Sequence, residues 1–264
     1  MDEAVPDRHP GLSGDDLPTA ASAVAVTSFD FGRLTARERY KLLIGTVVPR
    51  PIAWVTTVDL EGRVNAAPYS FFNCLSADPP ILALGVENWP DMRFKDTAYN
   101  IRMTEEFTVN MVSDALVEAM NVCAVPFPPE VDELAQAGLT AVPGSAVRCP
   151  RIGEAPVALE CRRYVGVAVG RSREIVLGEV LAAHIRSDLV DPQTCYVDQD
   201  GLDAIGRMGG HGYARTRESF DLPTMSLADW SDGRTAQRTI YGSPSEKRKS
   251  TAAMPVGRPF LSRL

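Results

Sequence analysis

The chain has 264 residues, 45% of them apolar and 23% charged, with 20 Gly, 20 Pro and a net charge of -7. This is a globular composition, which excludes collagen-like, disordered and disulfide-scaffolded chains, and the length is enough to bury a core without covalent staples. The five cysteines are odd in number and include no Cys-x-x-Cys pair, so reduced thiols in a cytoplasmic protein are expected rather than a disulfide framework or a zinc finger.

No stretch approaches the roughly 18 consecutive apolar residues of a membrane span. The start Met1-Asp2-Glu3 lacks the basic residues of a signal peptide, so no membrane association is expected. Acidity also argues against non-specific nucleic-acid binding. The charge is uneven: residues 231–264 carry seven basic and two acidic side chains, a net +5 that leaves -12 for the rest. The run Lys247-Arg248-Lys249 reads as a solvated basic tail.

In chain order, residues 1–28 mix Pro, Gly, Asp and Ala without apolar periodicity and read as a flexible extension. A helix is expected over Thr35–Leu43, with Thr35 and Glu38 as a capping box. Ile52–Val58 and Arg63–Ala67 flank the turn signal Asp59-Leu60-Glu61-Gly62 and predict a hairpin. Ile81–Val86 reads as a buried strand and Phe107–Val112, alternating apolar and polar, as a half-buried one. Further strands are expected at Val157–Val169 and Ile175–Ile185, and short helices at Asp96–Met103, Asp114–Val122 and Glu130–Gln136. Strands and helices do not alternate regularly, so an antiparallel barrel fits better than a doubly wound sheet. The expected organisation is one domain over residues 29–230 with a basic tail at 231–264.

The chain has no Gly-x-Gly-x-x-Gly after a strand, no phosphate-binding Gly-x-x-x-x-Gly-Lys-Ser/Thr, no His-Glu-x-x-His and no Gly-x-Ser-x-Gly. Three histidines, one of them His9 near the start, make a histidine metal site improbable, and no metal is expected. The cluster Gly206–Tyr213 has no strong strand leading into it. It reads either as a flexible turn or as a loop whose backbone approaches a flat ligand, with His211 or Tyr213 beside it.

Three segments carry the chemistry: Pro49–Thr57, with Arg50 between two prolines and paired threonines; Asn65–Pro80, with a Tyr-Ser-Phe-Phe-Asn run; and Phe94–Ile101, with Lys95 and Thr97 at a helix start. A helix N-terminus and a lysine suit a phosphate, while Ser70, Asn73 and nearby backbone suit the polar edge of a flat heterocycle. In this order the motifs Pro-Arg-Pro-Ile-Ala-Trp-Val-Thr-Thr, Asn-x-Ala-Pro-Tyr-Ser-Phe-Phe-Asn and Lys-Asp-Thr-x-x-Asn-Ile resemble the flavin reductase-like, FMN-binding split-barrel family, from about Phe29 to Tyr213.

The resemblance implies a mainly β fold, a six-stranded antiparallel Greek-key split barrel with peripheral short helices, assembled as a homodimer with FMN near the interface. It implies that Arg50, Pro51, Ile52, Ala53 and Thr56 line one side of the flavin. Ser70, Phe71, Phe72, Asn73 and Ser76 would meet its ring and ribityl chain, and Lys95 and Thr97 would anchor the phosphate. Asp96 is expected to cap the helix, and His211 and Tyr213 are candidates for the nicotinamide or substrate side. The implied activity is NAD(P)H:flavin oxidoreduction, with NADH or NADPH passing a hydride to flavin N5, the enzyme serving as the reductase of a two-component monooxygenase. Two alternatives stand beside it: an FMN-retaining oxidase or reductase of a small organic substrate, and a non-catalytic FMN-binding protein. FAD in place of FMN stays open. So does a covering role for the tail with Trp230, Tyr241 and Phe260.

Overall fold

A computed structural model describes residues 25–89, 91–170 and 173–240. The extension before residue 25, Tyr241, Phe260 and the Lys247–Lys249 run lie outside the described residues. The chain divides into two compact units, one of residues 36–217 and one made of the residues through Thr35 with those from Glu218 onward.

In the larger unit, α1 (Ala36–Thr46) leads into the short β1 (Arg50–Pro51). Four strands follow: β2 (Ala53–Val58), β3 (Val64–Tyr69), β4 (Phe72–Ala77) and β5 (Pro80–Glu87). After α2 (Asp96–Thr104) and β6 (Glu106–Met111) come a 3-10 turn at Asp114–Leu116, α3 (Val117–Val122) and α4 (Glu133–Gln136). Short strands β7 (Ala141–Val142) and β8 (Arg151–Ile152) precede the long hairpin of β9 (Val157–Val169) and β10 (Arg173–Ile185). The unit ends with α5 (Gln199–Leu202), β11 (Ile205–Arg207) and β12 (Tyr213–Arg215).

The principal sheet holds seven hydrogen-bonded strands in the order β3-β2-β6-β9-β10-β5-β4, where the resemblance implies a six-stranded barrel. Every pairing in it is antiparallel. The order forces the sheet to curl. Its two edge strands, β3 and β4, are consecutive in the chain and joined only by Ser70-Phe71. Laid flat, seven strands would hold their outer members roughly 29 Å apart at ~4.8 Å per spacing. The three peptide steps from Tyr69 to Phe72 reach roughly 11 Å at most. The edges therefore come round toward each other without pairing, which makes a barrel with a seam.

The barrel core gathers Ala53, Val55, Leu84, Val86, Phe107, Val109, Cys161 and Val176 from five strands, with Ala98 and Ile101 of α2 packed among them. A second cluster on the other side of β2 joins Trp54 and Ala66 to Met120, Cys123 and Leu134 of the α3–α4 layer. All six residues of β2 are buried because both of its faces are covered.

The same holds for β6, which is buried on both faces where the alternating pattern predicts one. Thr108 and Asn110 are fully buried and satisfied by the 149–152 segment lying over them. Thr108 donates to the Cys149 carbonyl (3.1 Å), Asn110 donates to the Trp54 carbonyl (3.0 Å), and its Oδ1 accepts the Ile152 N–H (2.9 Å). Close packing at the β9–β10 hairpin needs Gly178, where a Cβ would lie 2.3 Å from Phe107 Cζ.

Helical expectations shorten in places. The Asp114–Val122 helix is a 3-10 turn followed by α3, and the Glu130–Gln136 helix is only α4, started by Asp132, whose carboxylate accepts the N–H groups of Leu134 and Ala135. The Gly206–Tyr213 loop is a correction: Ile205–Arg207 is a strand that leads into it, and the segment is the hairpin β11–β12, which also pairs β1.

The smaller unit contains β13 (Phe220–Asp221), α6 (Leu227–Ser231) and β14 (Thr239–Ile240). β13 pairs with β14, Ser226 caps α6 by accepting the Asp229 N–H (3.1 Å), and the Arg238 guanidinium lies 3.9 Å from the Phe220 ring centroid.

Candidate functional site

The stretch Asn65–Asn73 organises the site. It runs along β3, through the seam link and into β4, and it touches three groups of residues in turn. The first is the start of α2. Asn65 Nδ2 donates to Thr97 Oγ1 (2.9 Å) and reaches Thr57 Oγ1 (3.3 Å), which also accepts Asn100 Nδ2 (3.0 Å). Burial pushes the Tyr69 phenol up to about 12, with its hydrogen bond to Thr97 opposing the shift. Thr97 is thus buried and held, with α2 fixed against β3.

Lys95 stands at the N-cap of α2, and its side chain makes no capping hydrogen bond. Its ammonium lies 5.2 Å from the Trp89 ring centroid. Asp96, next in line, is half-buried, and that burial raises its carboxyl pKa.

At the seam link the second group gathers on Arg50. Its guanidinium is buried and donates to the carbonyls of Ile44 (2.7 Å), Val47 (2.9 Å) and Met208 (3.1 Å), with Ser70 Oγ at 3.5 Å from Nε. Burial, with Arg207 adding like charge, draws the Arg50 pKa down. Arg50 therefore ties the end of α1 and the β11–β12 hairpin to the link. His211 and Tyr213 are exposed on that hairpin, with Arg207 4.5 Å from the Tyr213 ring centroid.

The third group is a cleft of about 320 Å³ beside the link, lined by Phe71, Phe72 and Asn73 together with residues of β5, β9 and β10. Gly85 lets the Phe71 side chain lie down on the sheet, since a Cβ there would be 3.0 Å from Phe71 Cβ. Tyr40 and Arg173 flank the Phe71 ring at 6.3 and 5.4 Å.

Other residues of the expected set lie apart from the cleft lining. Ile52 is buried in the helical-layer cluster and Ala53 in the barrel core, while Pro51 pairs with Gly206. Thr56 is buried facing away from the barrel core and donates to the Pro150 carbonyl. Ser76, on exposed β4, accepts the Asp78 N–H (3.2 Å). Sequence reasoning missed Arg173, Gly85 and Ile175 of the cleft. They lie about 100 residues from Phe71 or on another strand, and only the β5–β10 register brings them there.

Ser145, His184 and Glu160 form another cluster, but Glu160 Oε1 (2.6 Å) and Ser145 Oγ (3.2 Å) both sit on His184 Nε2. A nucleophile relay needs its two partners on opposite ring nitrogens, so this is scaffolding. Glu160 accepts N–H groups of Ser145, Ala146 and Val147. Burial opposes its charge, yet these bonds and His184 hold the carboxyl at about 2. Among the described residues no group of three or more His, Cys, Asp or Glu gathers to hold a metal. All five cysteines are free, and no described helix is long and apolar enough to cross a membrane.

A curled antiparallel sheet with a seam between β3 and β4 defines the class as a split barrel. Residues 44–205 match the flavin reductase like domain, and the chain belongs to that family. It is a flavin-dependent oxidoreductase.

An uncharacterized protein of Deinococcus radiodurans is 44% identical over 227 residues, covering 84% of this chain and 99% of that protein. Among solved structures, nitrilotriacetate monooxygenase component B from Bacillus cereus is 32% identical with a TM-score of 0.73, over 76% of this chain and all of that one. The 2-nitrobenzoate 2-nitroreductase of Pseudomonas fluorescens is 36% identical with a TM-score of 0.71, over 76% of this chain and 98% of that one.

Proposed function

We propose that the chain is an NAD(P)H:flavin oxidoreductase that uses FMN, and that it serves as the reductase of a two-component monooxygenase. The observation that carries this reading is the continuity of Asn65–Asn73. One stretch fixes the α2 start through Thr97, meets Arg50 through Ser70, and lines the cleft through Phe71, Phe72 and Asn73. The likeness to a monooxygenase component B supports the partner.

The residues fit a flavin. The N-terminus of α2 and the Lys95 ammonium suit the phosphate, as a helix N-terminus and a cation both favour an anion. Ser70 and Asn73 offer polar atoms to a ring edge, and the Phe71–Gly85 surface offers a flat apolar seat. Flavin chemistry is acceptance of a hydride at N5 and passage of its electrons onward. The chain's own part is to bind, orient and exclude water. Arg50 holds the β11–β12 hairpin, and with it His211 and Tyr213, against the link where a nicotinamide would approach.

The enzyme works as a cytoplasmic homodimer in this reading. Val165, Val167, Val169 and Ile175 expose an apolar outer sheet face, and such a face suits burial against a second copy. The second reading, an FMN-retaining enzyme acting on a small organic substrate, draws on the cleft and on the likeness to a nitroreductase.

Anaerobic mixing of the flavin-loaded protein with NADH and with NADPH separates the two. Rapid bleaching of the visible flavin band by one nucleotide, with turnover on added free FMN, is the expected result. Bleaching without turnover on free FMN supports the second reading, and no bleaching by either nucleotide rejects the first.

A further inference from the structure

We infer that Arg102 is a positioning residue for the flavin phosphate: it joins the buried Glu174 to Phe94 and so fixes Lys95 at the start of α2. The contacts begin on β10. The Glu174 side chain is 3% exposed, and Gly166 of β9 makes its room, since a Cβ there would run into Glu174 Oε1. A carboxylate this deep needs a countercharge. Arg102 of α2 supplies it at 2.8 Å from Nε to Oε2, while Arg163 of β9 stands farther off at 3.7 Å and is shared with Glu105 (2.9 Å). The Arg102–Glu174 contact lacks hydrogen-bond alignment, so charge rather than donor geometry holds the guanidinium there.

The same guanidinium lies 4.2 Å from the Phe94 ring centroid. Helical side chains lean toward the N-terminus, which lets a residue in the last turn of α2 reach back to the residue before its N-cap. Phe94 is 41% exposed and stands outside the two core clusters described above. A cation over its face gives it a seat that burial does not.

Lys95, next to Phe94, is thereby held from two directions. On the other side the chain turns tightly, with the Trp89 N–H donating to the Arg93 carbonyl and the Trp89 carbonyl accepting the Met92 N–H (both 2.8 Å). Met92 sits in the left-handed region at φ 73°, and the Trp89 ring centroid is 5.2 Å from Lys95 Nζ. A lysine stem is flexible, so fixing the backbone below it and the ammonium above it lowers the cost of holding an anion.

The inference rests on the proposed seat of the phosphate at α2 and adds the residues that hold that seat. Fluorescence titration of the full chain, freed of flavin, with FMN and with riboflavin, which lacks the phosphate, tests it. The parent is expected to prefer FMN. Arg102→Met and Phe94→Leu should each lower that preference about three- to fivefold, in the range of a cation–π contact, with riboflavin affinity unchanged. Phe94→Tyr, which keeps the ring, should retain the preference. In a Lys95→Ala background, Phe94→Leu should have no further effect on FMN, because it acts through the lysine.

A pair that merely ties α2 to β10 would weaken both flavins equally, and that result would overturn the inference. So would an unchanged preference in both variants, or a Phe94→Leu effect that persists without Lys95. A parent that binds both flavins alike overturns it together with the phosphate seat, while reduction of the bound flavin by NAD(P)H, measured separately, keeps the functional reading standing. A parent that binds neither flavin overturns both.

Discussion

Lys95 and Asp96 are neighbours with opposite consequences for an anion at the start of α2. Lys95 brings a cation, steadied against Trp89, to the helix end. Asp96 brings a carboxylate whose pKa is raised by burial, against the pull of its own backbone N–H and of Arg63. A phosphate seated there gains from the first and is opposed by the second. Lys95→Ala should weaken flavin binding and Asp96→Asn should strengthen it, each by on the order of tenfold for a charge-assisted contact. Fluorescence titration of the flavin measures both, and shifts in the same direction would move the phosphate elsewhere.

Glu160 makes a different kind of prediction. Its folded-state pKa of about 2 lies below its ordinary value of 4.5, so its stabilisation is complete above that value and is lost as pH falls toward 2. Glu160→Gln should cost about 3 kcal/mol at neutral pH and flatten the acid limb of a melting-temperature profile. The presence of Glu160 in a strand was legible from the sequence. Its three N–H partners were not, because residues 145–147 carry no pattern that announces a loop folded over β9.

Among the elements, the strands with strong apolar runs were readable because burial on at least one face dictates their composition. The Val157–Val169 strand agrees with its expected bounds, and β2, β5, β6 and β10 agree within a few residues. β4 was not read as a strand. It is an edge strand whose residues beyond Phe72 are exposed, so nothing imposes alternation on Asn73–Ala77.

The β11–β12 hairpin escaped for a related reason. Its strands are three residues each, too short for a periodic signal, and its register comes from β1 and Arg50. Element packing can be tested at Gly178. Phe107 is fully buried and a Cβ at position 178 would overlap its ring, so Gly178→Ala should destabilise the fold by about 1–3 kcal/mol without altering the flavin site. A denaturant midpoint unchanged from the parent would show that Phe107 can move aside.

At the scale of the whole molecule, the fold class and the site segments were legible together because the motifs lie in strand order along one stretch. Phe71, Phe72 and Asn73 line the cleft, whereas Ile52, Ala53 and Thr56 are buried in the packing of the sheet. A motif records that residues matter jointly and does not separate those that touch a ligand from those that hold the sheet. Assembly is testable at the outer face of β9. Val167→Asp places a charge in the exposed apolar face and should turn a dimer into a monomer in sedimentation equilibrium. A dimer of unchanged affinity would put the interface elsewhere.

The seam has one more consequence. β3 and β4 each pair on one side only among the described residues, so their outer amides lack ladder partners, with that of Ala66 donating instead to Glu133 Oε2 (3.0 Å). A fully closed barrel would show uniformly protected strands. Here a ligand resting on the Ser70-Phe71 link would act as a temporary rung. Hydrogen exchange along β3 and β4 should slow on ligand saturation while the central strands, already protected, stay unchanged, so that the barrel reports its occupancy at its own opening.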